Sequence, residues 1–311
     1  MTLIADSRID LPMLPPLTDW QDTCTTVHMW TQVAGKVRLM LSPDINHGWG
    51  STLYVTTHGL TTSPIPYGDF TFAIDFDFIE HLLRITTTLG TDRTFPLEPM
   101  SVAAFYRKMM LALSELGIEI KIFARPVEVE VAIPFETDEQ HSSYEPQAVT
   151  RYWHALVWVD QIFKEFRARF IGKVSPVHFF WGGFDLAVTR FSGRIAPKHP
   201  GGAPNVAARI MEEAYSHEVS SGGFWPGTGL GEAAFYAYAY PAPAGFNTYP
   251  VQPEAAYYHE KLGEFILPYE AVRKADNPAQ ALLSFLQTTY DAAANLAKWD
   301  RAALERKPLQ S

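Results

Sequence analysis

One hydrophobic pattern occurs twice in this chain, and that repetition narrows its architecture more than any motif does. Val27, Trp30, Val33, Val37 and Met40 step by 3, 3, 4 and 3 residues, and Trp153, Leu156, Val159, Phe163 and Phe166 repeat the same steps. Each series lays one apolar stripe along a helix. After the first comes HGWGSTLYVTTHG, and after the second HFFWGGFDLAVTRFSG. In both, a histidine precedes a Trp-Gly pair, His47 before Trp49 and His178 before Trp181. Thr57 and Thr189 each lie eight residues past the tryptophan and are followed by His58 and Arg190. Alternation through Tyr54-Val55-Thr56 and Leu186-Ala187-Val188 reads as strand. FPLE at Phe95–Glu98 then matches LPYE at Leu267–Glu270, and each precedes a helix start. Ser101 serves as the first cap, and Asn277 with Pro278 at the first helical position opens the second.

Each half therefore reads helix, antiparallel strands, helix. The predicted fold is α+β, with two similar lobes related by a pseudo-twofold from internal duplication and one face of each sheet under helices. The expected boundaries are an N-terminal tail at 1–18, a first half at 19–124, an acidic, proline-containing linker at 125–146, a second half at 147–300 and a C-terminal tail at 301–311. From Trp49 to Pro96 is 47 positions and from Trp181 to Pro268 is 87, so the second half carries 40 more, falling at roughly 194–262. Long elaborations of this kind are where function tends to reside.

The 311 residues are 47% hydrophobic, ample for a sizeable core. A net charge of −9 with scattered basic residues argues against nucleic acid as a partner. No apolar run approaches the roughly 18 residues of a membrane span, and Asp6 and Asp10 interrupt the place where a signal peptide would be apolar. The expectation is a soluble, cytoplasmic protein of open oligomeric state. The single cysteine, Cys24, excludes internal disulfides and cysteine-rich metal centres, and near a helix start it reads as a small buried thiol.

Known catalytic motifs fail on spacing. HEVSS, from His217, has Ser221 where a zinc-protease helix needs its second histidine, and HEKLG, from His259, has Gly263 there. GKVS at Gly172 lacks the serine or threonine and the leading glycine of a phosphate loop, and G-T-G-L-G has the wrong spacing for a dinucleotide fold. There is no nucleophile elbow. What remains is a looser constellation. Asp185 lies mid-strand among apolar neighbours, where it faces water, pairs with a base or meets a ligand. His217 and Glu218 precede a glycine-rich bend and suit acid/base work or metal ligation. On a regular strand they point to opposite faces; a bulge at Gly222-Gly223 would bring them together. Tyr236, Tyr238 and Tyr240 share one strand face, opposite Ala237 and Ala239. Those rings form either a pocket floor or packing, with a helix close on the alanines. Asp75 and Asp77 read as a solvent-facing edge. His47 and His178 occupy equivalent junctions, and whether His47 and His58 form a second site stays open.

The runs WTQVAGKVRLMLSP, GLTTSPIPYG, SPVHFFWGGFDLAVTRFSGR, EAYSHEVSSGGFWPG and FYAYAYPAP resemble a bacterial family known only as domain of unknown function 5996, over nearly the whole chain. The resemblance implies a bacterial cytosolic protein and gives no residue a role. The residues themselves point to a small-molecule enzyme with its site between the second-half sheet and the inserted loops. In that reading His217, Glu218, His178 and Asp185 carry the chemistry, and Arg190, Trp181, Phe224, Trp225 and Tyr238 bind substrate. A divalent metal, with His178, His217 and Glu218 as candidate ligands, is the cofactor to look for. A non-catalytic binder of small molecules or proteins and a duplicated scaffold without a site are the alternatives.

Overall fold

The computed structural model describes residues 11–307, so parts of both expected tails lie outside the described residues. Helix α1 (Gln21–Leu41) leads through a kinked 3-10 turn (Asn46–Ser51) into β1 (Tyr54–Val55), β2 (Gly59–Thr61), β3 (Ile65–Tyr67), β4 (Phe70–Asp77), β5 (Leu82–Thr87), β6 (Asp92–Pro96) and α2 (Val102–Glu115). A crossing segment with one 3-10 turn (Phe135–Thr137) follows. Next come α3 (Pro146–Ala168), β7 (His178–Phe180), β8 (Asp185–Ile195), α4 (Ala208–Ala214), β9 (His217–Trp225) and β10 (Ala234–Tyr240). The chain finishes with β11 (Tyr257–His259), β12 (Glu264–Pro268), α5 (Tyr269–Arg273), α6 (Pro278–Leu296) and α7 (Arg301–Leu304).

The protein is α+β, with two six-stranded sheets whose strand pairs are all antiparallel. The first runs β1-β2-β4-β5-β6 with β3 added on β4, and the second runs β7-β8-β9-β10-β12-β11. They meet edge to edge at Leu53 and Phe179, which exchange backbone hydrogen bonds of 2.9 and 2.8 Å.

Local sequence explains the element starts. Ser101 Oγ accepts from the Ala104 amide at 3.1 Å, and Asn277 Oδ1 accepts from the Gln280 amide at 3.0 Å with Pro278 at the first turn of α6. Packing explains the rest. Trp30 of α1 is wholly buried and stacks between Phe105 of α2, at 4.8 Å, and Tyr144, at 5.4 Å. In the second sheet, Leu186, Val188, Phe224 and Phe235 turn one face toward α3 and α6. Ala237 and Ala239 of β10 lie on that same face, whereas Ala234 packs with Trp225 and Ile266 on the other. One continuous hydrophobic cluster runs through both halves.

Two expectations need correcting. Met40 is exposed, because α1 outruns the core by its last turn. Asp77 does not face solvent: its carboxylate accepts from the Ile79 and Glu80 amides and tightens the β4–β5 turn. The segment 125–146 contributes Phe135, Asp138 and Tyr144 to the buried interior. Replacing Trp30 with Ala should cost about 3–5 kcal/mol in urea unfolding, while Met40→Ala shifts stability by less than about 0.5 kcal/mol. Equal midpoints for the two variants would show that the Trp30 stack does not organise the packing of α1 on α2.

Candidate functional site

The other face of the second sheet turns away from α3 and α6, and there strand register places polar groups in rows. Ala187, Gly223, Tyr236 and Ile266 form one row, and Thr189, Ser221 and Tyr238 the next. Gly223 is what makes the first row work. A Cβ on it would lie 2.1 Å from the Tyr236 ring, so only glycine lets that ring pass over β9. The Tyr236 hydroxyl thereby reaches β8 and donates to Asp185 Oδ2 at 2.5 Å. In the next row the Thr189 and Ser221 hydroxyls meet at 2.8 Å, and Tyr238 shares a 3.0 Å hydrogen bond with Tyr215. The rings of Tyr236 and Tyr238 lie nearly parallel, with Trp225 edge-on to Tyr236 at 5.5 Å.

A second carboxyl arrives from the crossing segment. Gln32, fully buried on α1, binds both polar backbone groups of Val127: its Nε2 donates to the carbonyl at 2.8 Å and its Oε1 accepts from the amide at 2.9 Å. The next residue, Glu128, adopts a left-handed φ of 58° and is tied by its amide to the Pro204 carbonyl at 2.8 Å. Its carboxyl lies over the Gly182–Gly183 turn. A Cβ on Gly182 would be 2.1 Å from Glu128 Oε1, and one on Gly183 would be 2.7 Å from Asp185 Oδ1 and 3.4 Å from Glu128 Oε2. Two carboxyls thus share a patch of bare backbone. That turn is anchored from below by His28, whose Nε2 donates to the Gly182 carbonyl at 2.8 Å. Burial brings the His28 imidazole down to about 4 and keeps it neutral.

The electrostatics are unusual. Burial raises Asp185 to about 6 against the opposing Tyr236 hydrogen bond. Burial and then the Asp185 charge raise both Glu128 and Glu264 to about 7. No ion pair reaches any of the three among the described residues. Glu128 as a residue keeps exposed surface although its carboxyl is crowded by protein, as befits a group in the wall of an open cleft. The inserted loop roofs one side. Tyr240 donates to the Pro197 carbonyl at 3.1 Å, His199 stacks on Tyr215 at 4.4 Å, and Asn205 Nδ2 donates to the Val129 carbonyl at 2.8 Å.

The residues singled out in the sequence are dispersed. Asp185, Tyr238 and Trp225 lie in the cleft. His178 shares their face but is fully buried under Trp49 and Tyr54. Trp181 donates from Nε1 to the Ser51 carbonyl at 2.7 Å and presses on Gly35 of α1. Arg190 and Phe224 point to the helix side: the Arg190 guanidinium stands 3.5 Å over the Phe166 ring and 4.5 Å from Tyr290, and Phe224 packs on Tyr152 and Phe235. Glu218 also turns that way and pairs with Arg194 at 2.6 Å. His217 lies 5.9 Å from His47. His47 in turn accepts from Lys173 at 2.6 Å and donates to the Glu213 and Ala214 carbonyls. His58 is exposed at the β1–β2 turn and does not join His47. His178, His217 and Glu218 therefore do not converge, and among the described residues no group of three or more His, Cys, Asp or Glu is arranged to hold a metal ion. No described helix is long and apolar enough to cross a membrane. No motif or periodicity in the sequence marks Glu128, Glu264 or His28 as belonging here.

The chain belongs to a family of unknown function, DUF5996, whose family model matches residues 11–306. No curated protein and no solved structure matches it.

The raised carboxyls set a pH dependence. Between the unfolded carboxylate range near about 4 and the native values of about 6 to 7, the folded state holds more protons than the unfolded. Stability therefore falls as pH rises through that window and levels off above it. Asp185→Asn and Glu128→Gln should each flatten the fall, read as urea midpoints at pH 5 and pH 8. An unchanged slope in both variants would place these carboxyls in ordinary solvent.

Proposed function

We propose that this protein is an enzyme that transfers protons on a small, hydroxyl-bearing molecule held between the second sheet and the loop at 197–205. Glu128 and Asp185 are its acid/base pair. The observation that carries this reading is the two carboxyls set on one glycine turn in different surroundings. Asp185 is fixed by the Tyr236 hydroxyl, whereas the Glu128 carboxyl has no protein hydrogen-bond donor among the described residues and is raised to about 7. A group half-protonated near neutrality both gives and takes a proton efficiently, and a neighbour of lower pKa stays ionised beside it. Hydrolysis or isomerisation at a C–O bond is the reaction class that such a pair serves. The faces and hydroxyls of Tyr236 and Tyr238, with Trp225 alongside, suit a neutral polyol or sugar-like substrate.

One observation favours a second reading, a non-catalytic binder. Three carboxyls beside a group of tyrosines, with no lysine or arginine paired to them among the described residues, also match an ammonium ligand, which would relieve the uncompensated charge. We also infer that the two halves arose by duplication. The support is that each runs from a long helix through six antiparallel strands to a further helix. The cleft belongs to the second half because the extra 194–262 stretch supplies its roof.

The test is a panel of chromogenic esters, lactones and glycosides, with thermal shifts for polyols and amines run in parallel. Turnover should fall by about 10²–10⁴ in Glu128→Gln and show a limb near pH 7 in the parent. Stabilisation by amines with no turnover would select the binder. Full turnover in both Glu128→Gln and Asp185→Asn would sink the enzyme reading.

A further inference from the structure

We propose a second site, for a small oxyanion of the phosphate or carboxylate class, in the cavity between α3 and the seam where β1 meets β7. It is independent of the carboxyl cleft. The cavity measures about 200 Å³ and is bounded by Tyr54, Asp160, Lys164, Arg167, Pro176 and Val177. A water occupies about 30 Å³ of liquid, so the space admits a tetrahedral anion with room for its hydration.

The polar lining is preorganised for negative charge. Asp160 and Lys164, one helical turn apart, neutralise each other at 2.5 Å. That leaves Arg167 as the uncompensated charge. Its Nε donates to the Ser175 carbonyl at 2.6 Å, which fixes the guanidinium plane. Its two terminal nitrogens have no partner among the described hydrogen bonds, and they form the edge that pairs bidentately with an oxyanion.

Tyr54 supplies a donor, and the reason lies behind it. His178 is wholly buried, its Nε2 is 3.3 Å from the Tyr54 hydroxyl, and its Nδ1 has no partner among the described residues. Burial first, then the Arg38 and Arg167 charges, bring the imidazole down to about 3, so the ring is neutral. A neutral ring carries one proton. On Nδ1 that proton would be an orphaned donor; on Nε2 it leaves only a bare lone pair, the cheaper defect. Nε2 therefore donates to Tyr54. The Tyr54 oxygen is thus occupied as an acceptor, with the Arg38 guanidinium over its ring at 5.3 Å, and its own O–H is left to donate into the cavity. Arg38, buried on α1 and tied to the Gly50 carbonyl at 2.8 Å, adds fixed positive charge behind the site. In a chain of net charge −9, this concentration of positive charge around one cavity is a local reversal of sign.

The experiment is isothermal titration of the full-length protein with inorganic phosphate and with acetate, using sodium chloride at matched ionic strength as the control. Saturable binding of either anion beyond chloride is expected. Arg167→Gln should weaken it about tenfold or more, the worth of a charge-assisted hydrogen bond, and Tyr54→Phe should weaken it less while keeping the ring. Lys164→Gln, at an exposed side chain, provides a variant that folds whatever Arg167→Gln does. It should bind more weakly as well, unless the freed Asp160 carboxylate repels the anion entirely, which abolishes binding and supports the site equally. Preference for phosphate over acetate would point to phosphorylated ligands, and the reverse to carboxylic acids. Heats indistinguishable from chloride, or binding unaltered in Arg167→Gln and Lys164→Gln alike, would overturn the proposal.

Discussion

The cleft depends on one buried amide. Gln32 lies in the middle of α1 with no access to solvent, where an unsatisfied side-chain amide would cost several hydrogen bonds' worth of desolvation. It finds both partners on a single residue, Val127. That pairing gives an otherwise irregular stretch of backbone the definition of a strand pair, and it fixes where Glu128 begins. The same helix holds the opposing turn through His28 and packs Gly35 against Trp181, where a Cβ would come within 2.3 Å of the indole. Helix α1 belongs to the first half by sequence. By contact it is the jig on which Glu128 and the Gly182–Gly183 turn are set.

Glycine does the complementary work. On β9, Gly222 and Gly223 face opposite ways: a Cβ on Gly222 would meet Leu286 of α6, and one on Gly223 would meet Tyr236. The strand is therefore thin on both faces. On one side this lets a helix close in, and on the other it lets a phenol cross to the neighbouring strand. At Gly182–Gly183 the missing side chains are replaced by two carboxyls. A site built from absent side chains positions its groups against backbone, which is stiffer than any rotamer.

Much of the architecture was legible because it rests on local signals. The helical stripes ending at Val37 and Phe166, the caps at Ser101 and Asn277, and the alternation through Leu186–Val188 all follow from periodicity and capping chemistry. Alternation also separated Glu218 from His217 and put the β10 tyrosines opposite the alanines. Glu128 was not legible. In Val127-Glu128-Val129-Glu130 it looks like any solvated residue on an edge, and nothing nearby records that Gln32, 96 positions earlier, holds the backbone in place. Arg190 shows the converse. Beside Thr189 it reads as a substrate-binding side chain, but cross-strand pairing with Ser220 turns it toward Phe166 and Tyr290, where its charge lies against rings. Parity along a strand can be read from sequence; which face receives the helices cannot.

The cleft is also where the structure departs most from what folding alone would favour. Crowding Asp185, Glu128 and Glu264 by protein without a lysine or arginine partner opposes folding at neutral pH, because desolvation raises all three and the Asp185 charge raises both glutamates further. Glu128 and Phe184 add left-handed backbone at residues that resist it, with φ of 58° at both. Substituting any of these carboxyls by its amide would remove the charge cost without changing shape, so stability gives no reason to keep them. Elsewhere the chain follows the opposite rule. Asp77 caps a turn, Asp160 pairs with Lys164, and Glu270 is held down to about 2 by Arg273. A protein that caps or pairs its carboxylates in those places and leaves three in one cleft without an ion-pair partner among the described residues concentrates its electrostatic cost there.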